Sequence, residues 1–173
     1  VVGFHHALSD AIVRIALPDG RFQRVNRDEQ TGTGVELLAG YRTGEFSLSG
    51  DVVMQRTKLQ DPAAGVSLTP EYQPEVLAGL AAAGPLPLQA RFDVRARHVG
   101  RQYCINPDTG AETPLPSARR FDAEVSRRWQ VGRGWMSLLE LAVAADNFTD
   151  ALTYDQCGLP QPGRTLRFQL RLR

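Results

Sequence analysis

No run of about 18 consecutive apolar residues exists in this chain, because the richest stretch, Val76 to Leu88, is broken by Gly84, Pro85 and Pro87. A transmembrane helix is therefore excluded, but a membrane-crossing sheet is not, since its strands alternate and leave average hydropathy near that of soluble proteins. Charge of one sign is also lacking: 20 Lys plus Arg stand against 19 Asp plus Glu, a formal charge of +1. Nothing in that balance marks a binder of nucleic acid, and none is expected as a partner. Catalytic signatures are missing too, with no Gly-x-Ser-x-Gly elbow, no His-Glu-x-x-His and no phosphate loop, so neither an enzyme nor a cofactor is expected. The two cysteines, Cys104 and Cys157, lack metal-ligand spacing, which leaves one disulfide or two free thiols. The chain opens on Val1 with no basic-then-apolar leader, so any targeting signal is expected to lie outside it and the chain reads as a fragment.

What is present is one domain's worth of foldable chain: 173 residues, 42% hydrophobic and 23% charged. Its dominant pattern has a period of two. From Leu88 to Arg97 the even positions are Leu88, Ala90, Phe92, Val94 and Ala96, and the odd ones Gln89, Arg91, Asp93, Arg95 and Arg97. Arg164 to Arg173 repeats the pattern, with Leu166, Phe168, Leu170 and Leu172 opposite Arg167, Gln169, Arg171 and Arg173. Phe121 to Ser126 and Glu45 to Val52 alternate likewise. Successive strand side chains point to opposite faces, so each segment is predicted as a strand with one apolar and one charged side. Trp135 to Asn147, Val35 to Arg42 and Phe4 to Ala16 are added on weaker alternation. Pro74 to Ala83 is ambiguous: a proline leading an Ala-rich run favours a short helix locally, but its neighbours demand a strand, and strand is the prediction.

Connections alternate in length. Arg42 to Glu45, Gly84 to Pro87 and Val131 to Gly134 read as tight turns, and Pro18-Asp19-Gly20 as a further hairpin. Leu59 to Thr69, Tyr103 to Pro116 and Thr149 to Pro162 read as long polar loops. About eight antiparallel strands result, several on the order of 11 to 15 residues, against roughly 5 to 6 in soluble sheets. A strand crossing a bilayer at about 45° needs roughly 9 to 11. Soluble lipocalin-like barrels also alternate. Strand length and the placing of every long loop at one end favour an up-and-down transmembrane β-barrel.

At the level of motifs, the run from Leu139 through Asp146-Asn147-Phe148 to Tyr154, followed by Pro160 to Phe168 with its Pro162-Gly163-Arg164, resembles the C-terminal end of TonB-dependent outer-membrane receptors. In that family an alternating strand enters an Asn-Leu-Phe-Asp-like corner and a Pro-Gly-Arg opens the last strand. Val25-Asn26 with Gly34-Val35-Glu36-Leu37, and Phe4 to Ile12 with Asp10, are similar to two further family segments. Val99 to Tyr103 and Leu115 to Ser117 resemble the edges of an outer loop. Two departures stand out: Asp146-Asn147-Phe148 lacks the family's Leu before Phe, and the chain ends on Arg173 where an aromatic residue is usual. The parity of Leu166 to Leu172 places the next apolar slot at position 174.

The resemblance implies an all-β chain forming about eight C-terminal strands of a 22-stranded barrel in the outer membrane of a Gram-negative bacterium, with residues 1–173 forming one part of that barrel domain. It implies TonB-dependent uptake of a scarce large ligand such as a ferric siderophore or a cobalamin. The partners would be the TonB energy-transducing complex, acting through a plug outside this chain, the ligand itself and outer-membrane lipid. Long loops would lie outside the cell, where an oxidising medium permits a Cys104–Cys157 disulfide, and two free thiols remain the alternative. The apolar parity, with Leu139, Leu141, Val143, Leu166, Phe168 and Leu170, would face lipid. The charged parity, with Arg91, Arg95, Arg97, Glu124, Glu140, Arg167 and Arg171, would face the lumen. Arg97, Arg101, Tyr103 and Arg120 are the candidate ligand-binding residues; the competing role for lumen arginines is pairing with carboxylates such as Asp122 and Glu124. His5, His6 and His98 form no metal cluster in sequence. Trp129 and Trp135 are placed as interfacial anchors beside a periplasmic turn. A self-contained eight-stranded outer-membrane barrel of structural or adhesive role, and a soluble ligand-binding β-barrel, are the rival readings. Both require the first strand to pair with the last.

Overall fold

The computed structural model describes every residue except 18, 20, 62–65, 69, 107, 133–137 and 173. The strands in chain order are β1 (Val2–Ala16), β2 (Phe22–Thr43), β3 (Phe46–Asp61), β4 (Val66–Leu68), β5 (Val76–Leu86), β6 (Ala90–Val99), β7 (Gln102–Ile105), β8 (Glu112–Leu115), β9 (Ala118–Gln130), β10 (Leu138–Asp146), β11 (Tyr154–Gln156), β12 (Leu159–Pro160) and β13 (Thr165–Leu172). One antiparallel sheet runs in the order β1-β2-β3-β5-β6-β9-β10-β13, each strand beside its predecessor, with β4 folded back on β3. The hairpins β7-β8 and β11-β12 stand apart from it. Among the described residues β1 pairs only with β2 and β13 only with β10, so the sheet keeps two edges and is not closed.

The short β2–β3 and β5–β6 turns lie at one end and the three long connections at the other, as the sequence suggests, whereas the tight β1–β2 hairpin lies at the long-loop end. Gly44 and Glu45 join β2 to β3 in two residues, with Gly44 at φ +54, a left-handed conformation that glycine adopts without a Cβ penalty. The β5–β6 turn corrects the sequence reading. It is not Gly84 to Pro87 but Pro87 to Gln89, a 3₁₀ turn in which Leu88 and Gln89 take φ of 64° and 58°. Gly84 and Pro85 continue the ladder opposite Phe92 and Arg91. Leu88 and Gln89 thus leave the predicted strand, which starts at Ala90. Pro74 to Ala83 becomes strand from Val76 onward: with β3 and β6 on its flanks, cross-strand pairing overrides the local helix preference of the alanines. The long loops are partly ordered, since each carries a strand or hairpin of its own: β4 in the first, β7-β8 in the second and β11-β12 in the third. Pro18, Gly20, Gly134 and Trp135 lie outside the described residues.

Register places the two parities on two faces. On one side Leu48, Ala82, Val94, Ala123, Ala145 and Leu166 form a continuous cross-strand row. Rows on the other side hold Arg95 opposite Asp122, and Asp93, Glu124, Ala144 and Arg167 in line. The apolar side chains are not gathered into a core. Phe168 is 74% exposed, and Leu141, Val143, Leu166 and Leu170 are exposed with it, whereas the buried hydrophobic residues are small or lie in the loops: Ala11, Ala83, Cys104, Leu115, Ala142 and Ala144. A soluble sandwich or barrel of this size buries its large aliphatics. An apolar face this extensive and this open fits an external apolar medium.

The apolar belt crosses the sheet obliquely. On β3 it runs from Phe46 to Met54, and on β9 from Phe121 to Trp129, about nine residues in each case. Gly50 is aligned with Phe121 through Leu80 and Ala96, so the upper limit of the belt lies four residues higher on β3 than on β9. The lower limit shifts by the same amount. Four residues at roughly 3.3 Å, across three strand spacings of roughly 4.8 Å, set the strands at about 43° to the belt normal. Membrane barrels tilt by roughly 35–45°. Arg127 breaks the belt near its lower edge, where its guanidinium lies 4.8 Å from the centre of the Trp129 ring.

The β1–β2 hairpin extends well beyond that belt. Phe4 covers Gly34 and His6 covers Gly32, each ring occupying the place a Cβ would take, and the two rings stack at 6.3 Å. Asp10, at φ 55, sits where the register slips between Leu8 and Ala11. Near the tip, Arg21 holds the Asp19 carboxyl below its ordinary range by a side-chain hydrogen bond of 2.7 Å. The lowered value means that this contact is present at neutral pH and lost as pH falls through it. Replacing Gly34 by Val is expected to displace Phe4 and separate β1 from β2, read as accelerated amide exchange at residues 4–8 with residues 139–143 unaffected.

Candidate functional site

The three long connections meet at one rim and are laced together. The backbone N–H of Tyr72, in the β4–β5 connection, donates to the carbonyl of Tyr103 in β7 at 2.9 Å. The N–H of Ile105 donates to Glu71 Oε1 at 2.8 Å. Tyr72 takes φ 56 between these ties, and its hydroxyl accepts from the N–H of Cys157 at 3.3 Å. Cys157 and Cys104 form a disulfide with a Cα–Cα distance of 5.9 Å, and Cys104 is fully buried beneath β8. Of the alternatives open in sequence, the structure thus holds the bonded pair. One residue from each connection, Tyr72, Cys104 and Cys157, fastens all three loops.

Below this clamp lies a cleft of about 450 Å³. Its walls come from the loop end of β3 (Gln55, Thr57), the approach to β5 (Gln73, Glu75), and the exit of β6 (His98, Arg101, Tyr103). Gln55 is held by its N–H to the Glu75 carbonyl at 2.8 Å and by its amide to the Pro74 carbonyl at 3.1 Å. Gly100 donates to Val76 at 2.8 Å, bringing the β6 exit against the start of β5; a Cβ at Gly100 would meet the Val76 carbonyl. The lining offers a guanidinium, a carboxylate, a phenol and amide groups. His98 Nδ1 is buried without a hydrogen-bond partner, a polar atom available to a ligand group or a water.

Arg101 and Tyr103, predicted from sequence, come together in this cleft. Arg97 and Arg120 do not. They stand opposite each other on the polar face of β6 and β9, and Arg120 spends its guanidinium on Asp122 at 2.9 Å. Similar pairs line that face: Arg95 with Asp93 at 3.0 Å, Arg128 with Glu140 at 3.0 Å, and Arg167 with Asp146 at 2.9 Å through Nη2. Arg97 makes no ion pair among the described residues. Tyr72, Gln55 and Glu75 were not foreseen; the signal available was an aromatic residue between two prolines, Pro70 and Pro74, inside an otherwise polar loop. The histidines separate: His5 Nδ1 lies 3.0 Å from Thr33 Oγ1, His6 stacks with Phe4, and His98 lines the cleft.

Asn147 ties the rim to the sheet. It is 1% exposed at φ 49, a left-handed position that Asn tolerates. Its N–H donates to Asp122 Oδ1 at 2.8 Å, its amide nitrogen to the Ala151 carbonyl at 2.9 Å, and its amide oxygen accepts from the Ala151 N–H at 3.0 Å. Phe148 donates to the Phe121 carbonyl at 2.9 Å, and Asp150 Oδ1 accepts from the Arg164 N–H at 2.8 Å. The loop between β10 and β13 therefore leaves and re-enters the sheet through one buried polar corner. The absent Leu before Phe148 has no bearing on those bonds, which are made by Asn147, Asp150 and the backbone.

No protein-family model and no curated protein matches the sequence. Among solved structures, the chain is similar to the FrpB iron transporter from Neisseria meningitidis (F3-3 variant), with a TM-score of 0.67 and 18% identity over 97% of this chain. This chain spans 28% of that one. At such identity the likeness establishes shared fold: an antiparallel β-sheet of the kind found in part of that transporter.

Two outcomes follow from the rim. Asn147→Leu strands the Ala151 N–H and carbonyl and should lower stability by about 2 to 4 kcal/mol, measured by chemical unfolding of the protein in detergent. Cys104→Ser with Cys157→Ser should raise amide exchange at Tyr72 and Ile105 while leaving β9 and β10 protected.

Proposed function

We propose that the chain is the C-terminal portion of the wall of a 22-stranded outer-membrane receptor for TonB-dependent active uptake of a scarce, large ligand such as a ferric siderophore or a cobalamin. The observation that carries this reading is the oblique apolar belt. A band of about nine residues, tilted by about 43°, bare of any covering element and backed by a charged face, is the solution for a β-sheet in hydrocarbon, where every backbone group must be paired and every outward side chain apolar. The two unpaired edges support a part of a larger cylinder over a self-contained eight-stranded barrel, which would need β1 against β13. Similarity to an iron transporter supports the transport class.

In this reading the long-loop rim faces the exterior and the cleft is part of the ligand mouth. Arg101 and Tyr103 contact an anionic, hydroxyl-bearing chelate, Arg101 by charge-assisted hydrogen bonds and Tyr103 by its phenol and ring. Arg97, a lumen cation without an ion pair among the described residues, extends the positive surface inward, while Arg120 positions Asp122 and through it Asn147. The clamp of Tyr72, Cys104 and Cys157 presents these groups on ordered loops, which reduces the entropy lost on binding. Energy relayed by TonB through a plug would then release the ligand inward.

The test uses the full-length protein that carries this sequence, expressed in iron-starved cells. Uptake of a labelled ferric chelate is expected to require the TonB system, and Arg101→Ala with Tyr103→Ala is expected to weaken binding about tenfold, roughly 1.4 kcal/mol, with no change in surface abundance. Formation of a closed monomeric barrel by the isolated chain, with slow exchange at Phe168 to Leu172, would count decisively against it.

A further inference from the structure

Immediately beyond the belt, on the loop side, the outward-facing positions become cationic. On β3 the residue after Met54 on that face is Arg56, then Lys58. On β9 the one beyond Phe121 is Arg119, opposite His98 on β6, which itself follows Ala96. Arg56 lies opposite Thr33 and Lys58 opposite Thr31 on β2. Arg56, Lys58 and Arg119 are exposed, and none makes an ion pair among the described residues. Glu29 shares the face, but it stands opposite Gln60, farther from the belt than either Arg56 or Lys58.

The tilt brings these groups to one level. His98 and Arg119 are aligned in register with Ala78 and Val52, so along the strand Arg56 is four residues above the row of Arg119. That is the offset by which both limits of the belt move between β3 and β9. Measured from the belt, Arg56 and Arg119 are therefore level, about 20 Å apart, since three strand spacings across combine with four residues along the strand. The polar face offers no such row, since its arginines are largely paired with Asp93, Asp122, Glu140 and Asp146.

We propose that Arg56, Lys58 and Arg119 form a docking row for the phosphate groups of anionic lipid headgroups in the leaflet on the long-loop side. The proposal rests on the membrane reading above and adds a lipid partner to it. Charge complementarity carries the choice: exposed, unpaired cations at the depth where a hydrocarbon belt ends meet headgroups, and guanidinium and ammonium groups both bind phosphate. Arg56 and Lys58, two residues and about 7 Å apart on one strand, can share a headgroup, whereas Arg119, about 20 Å from Arg56 at the same level, engages a separate lipid.

The full-length protein would be reconstituted in phosphatidylcholine vesicles containing about one-fifth phosphatidylglycerol, and the enrichment of spin-labelled phosphatidylglycerol over spin-labelled phosphatidylcholine at its surface measured. Wild type is expected to enrich the anionic lipid about threefold or more, with the preference shrinking as salt rises. Arg56→Gln/Lys58→Gln/Arg119→Gln should abolish the preference, while Arg91→Gln/Arg95→Gln, on the opposite face, should retain it. Equal enrichment by wild type and the triple variant, or equal loss in the opposite-face variant, overturns the docking row alone, because both labels still report immobilised lipid. Absence of immobilised lipid of either kind overturns the membrane reading and the row together.

Discussion

The two-residue period of the extended chain is the constraint from which the rest of this structure follows. A strand cannot choose a face residue by residue, so each run of alternating Leu, Val or Phe with Arg, Glu or Asp commits one whole side of the sheet to an apolar medium and the other to charge. Six strands, from β3 to β13, carry the commitment across the sheet without a change of phase, as the row from Leu48 to Leu166 shows, and among the described residues only β1 slips, at Asp10. Large aliphatics remain outside, and the buried positions fall to alanines such as Ala142 and Ala144 on the charged side. There Ala144 stands opposite Glu124 and Arg167, and Ala142 opposite Ser126 and Gln169.

Depth is organised by the same ladder. Because pairing is perpendicular to the strands while the belt is oblique, residues at one level of the belt are not register partners, and depth relative to the belt follows from pairing and tilt together. That explains the place of Arg127, which in sequence looks like a cation misplaced among apolar residues. It lies near the lower limit of the belt beside Trp129, where an aromatic face and the nearby interface can accommodate a guanidinium.

Above the belt the design changes from a regular ladder to a few tightly specified ties. Tyr72, Cys104, Cys157 and Asn147 are each irreplaceable by ordinary loop residues: one adopts positive φ and bonds two other loops, two form a covalent link, and one saturates an amide in a buried corner. Hydrogen bonds from backbone to backbone or to a single acceptor give rigidity with little apolar burial. Such a rim is compatible with a binding mouth, in which an open cleft must persist without a hydrophobic core to hold it.

Alternation, turn chemistry at Gly44, strand identity in β6, β9, β10 and β13, and the shared end of the three long connections were legible from residue order alone, because they depend on local period and on spacing. The β5–β6 turn was not. Gly84 and Pro85 carry turn propensity, but pairing with β6 keeps them in the ladder and moves the reversal to Pro87 to Gln89. Candidate residues divided in the same way: Arg101 and Tyr103 share the cleft because β6 ends just before them, while Arg120 was claimed by Asp122, a partner two residues along whose own orientation is tied to Asn147 on another strand. Composition and order thus determined that the chain forms a two-faced, membrane-length sheet with loops at one rim. Only the tertiary structure decided where the ribbon reverses, how steeply it crosses its belt, and which loop residues clasp one another, since those depend on contacts between segments far apart in the chain.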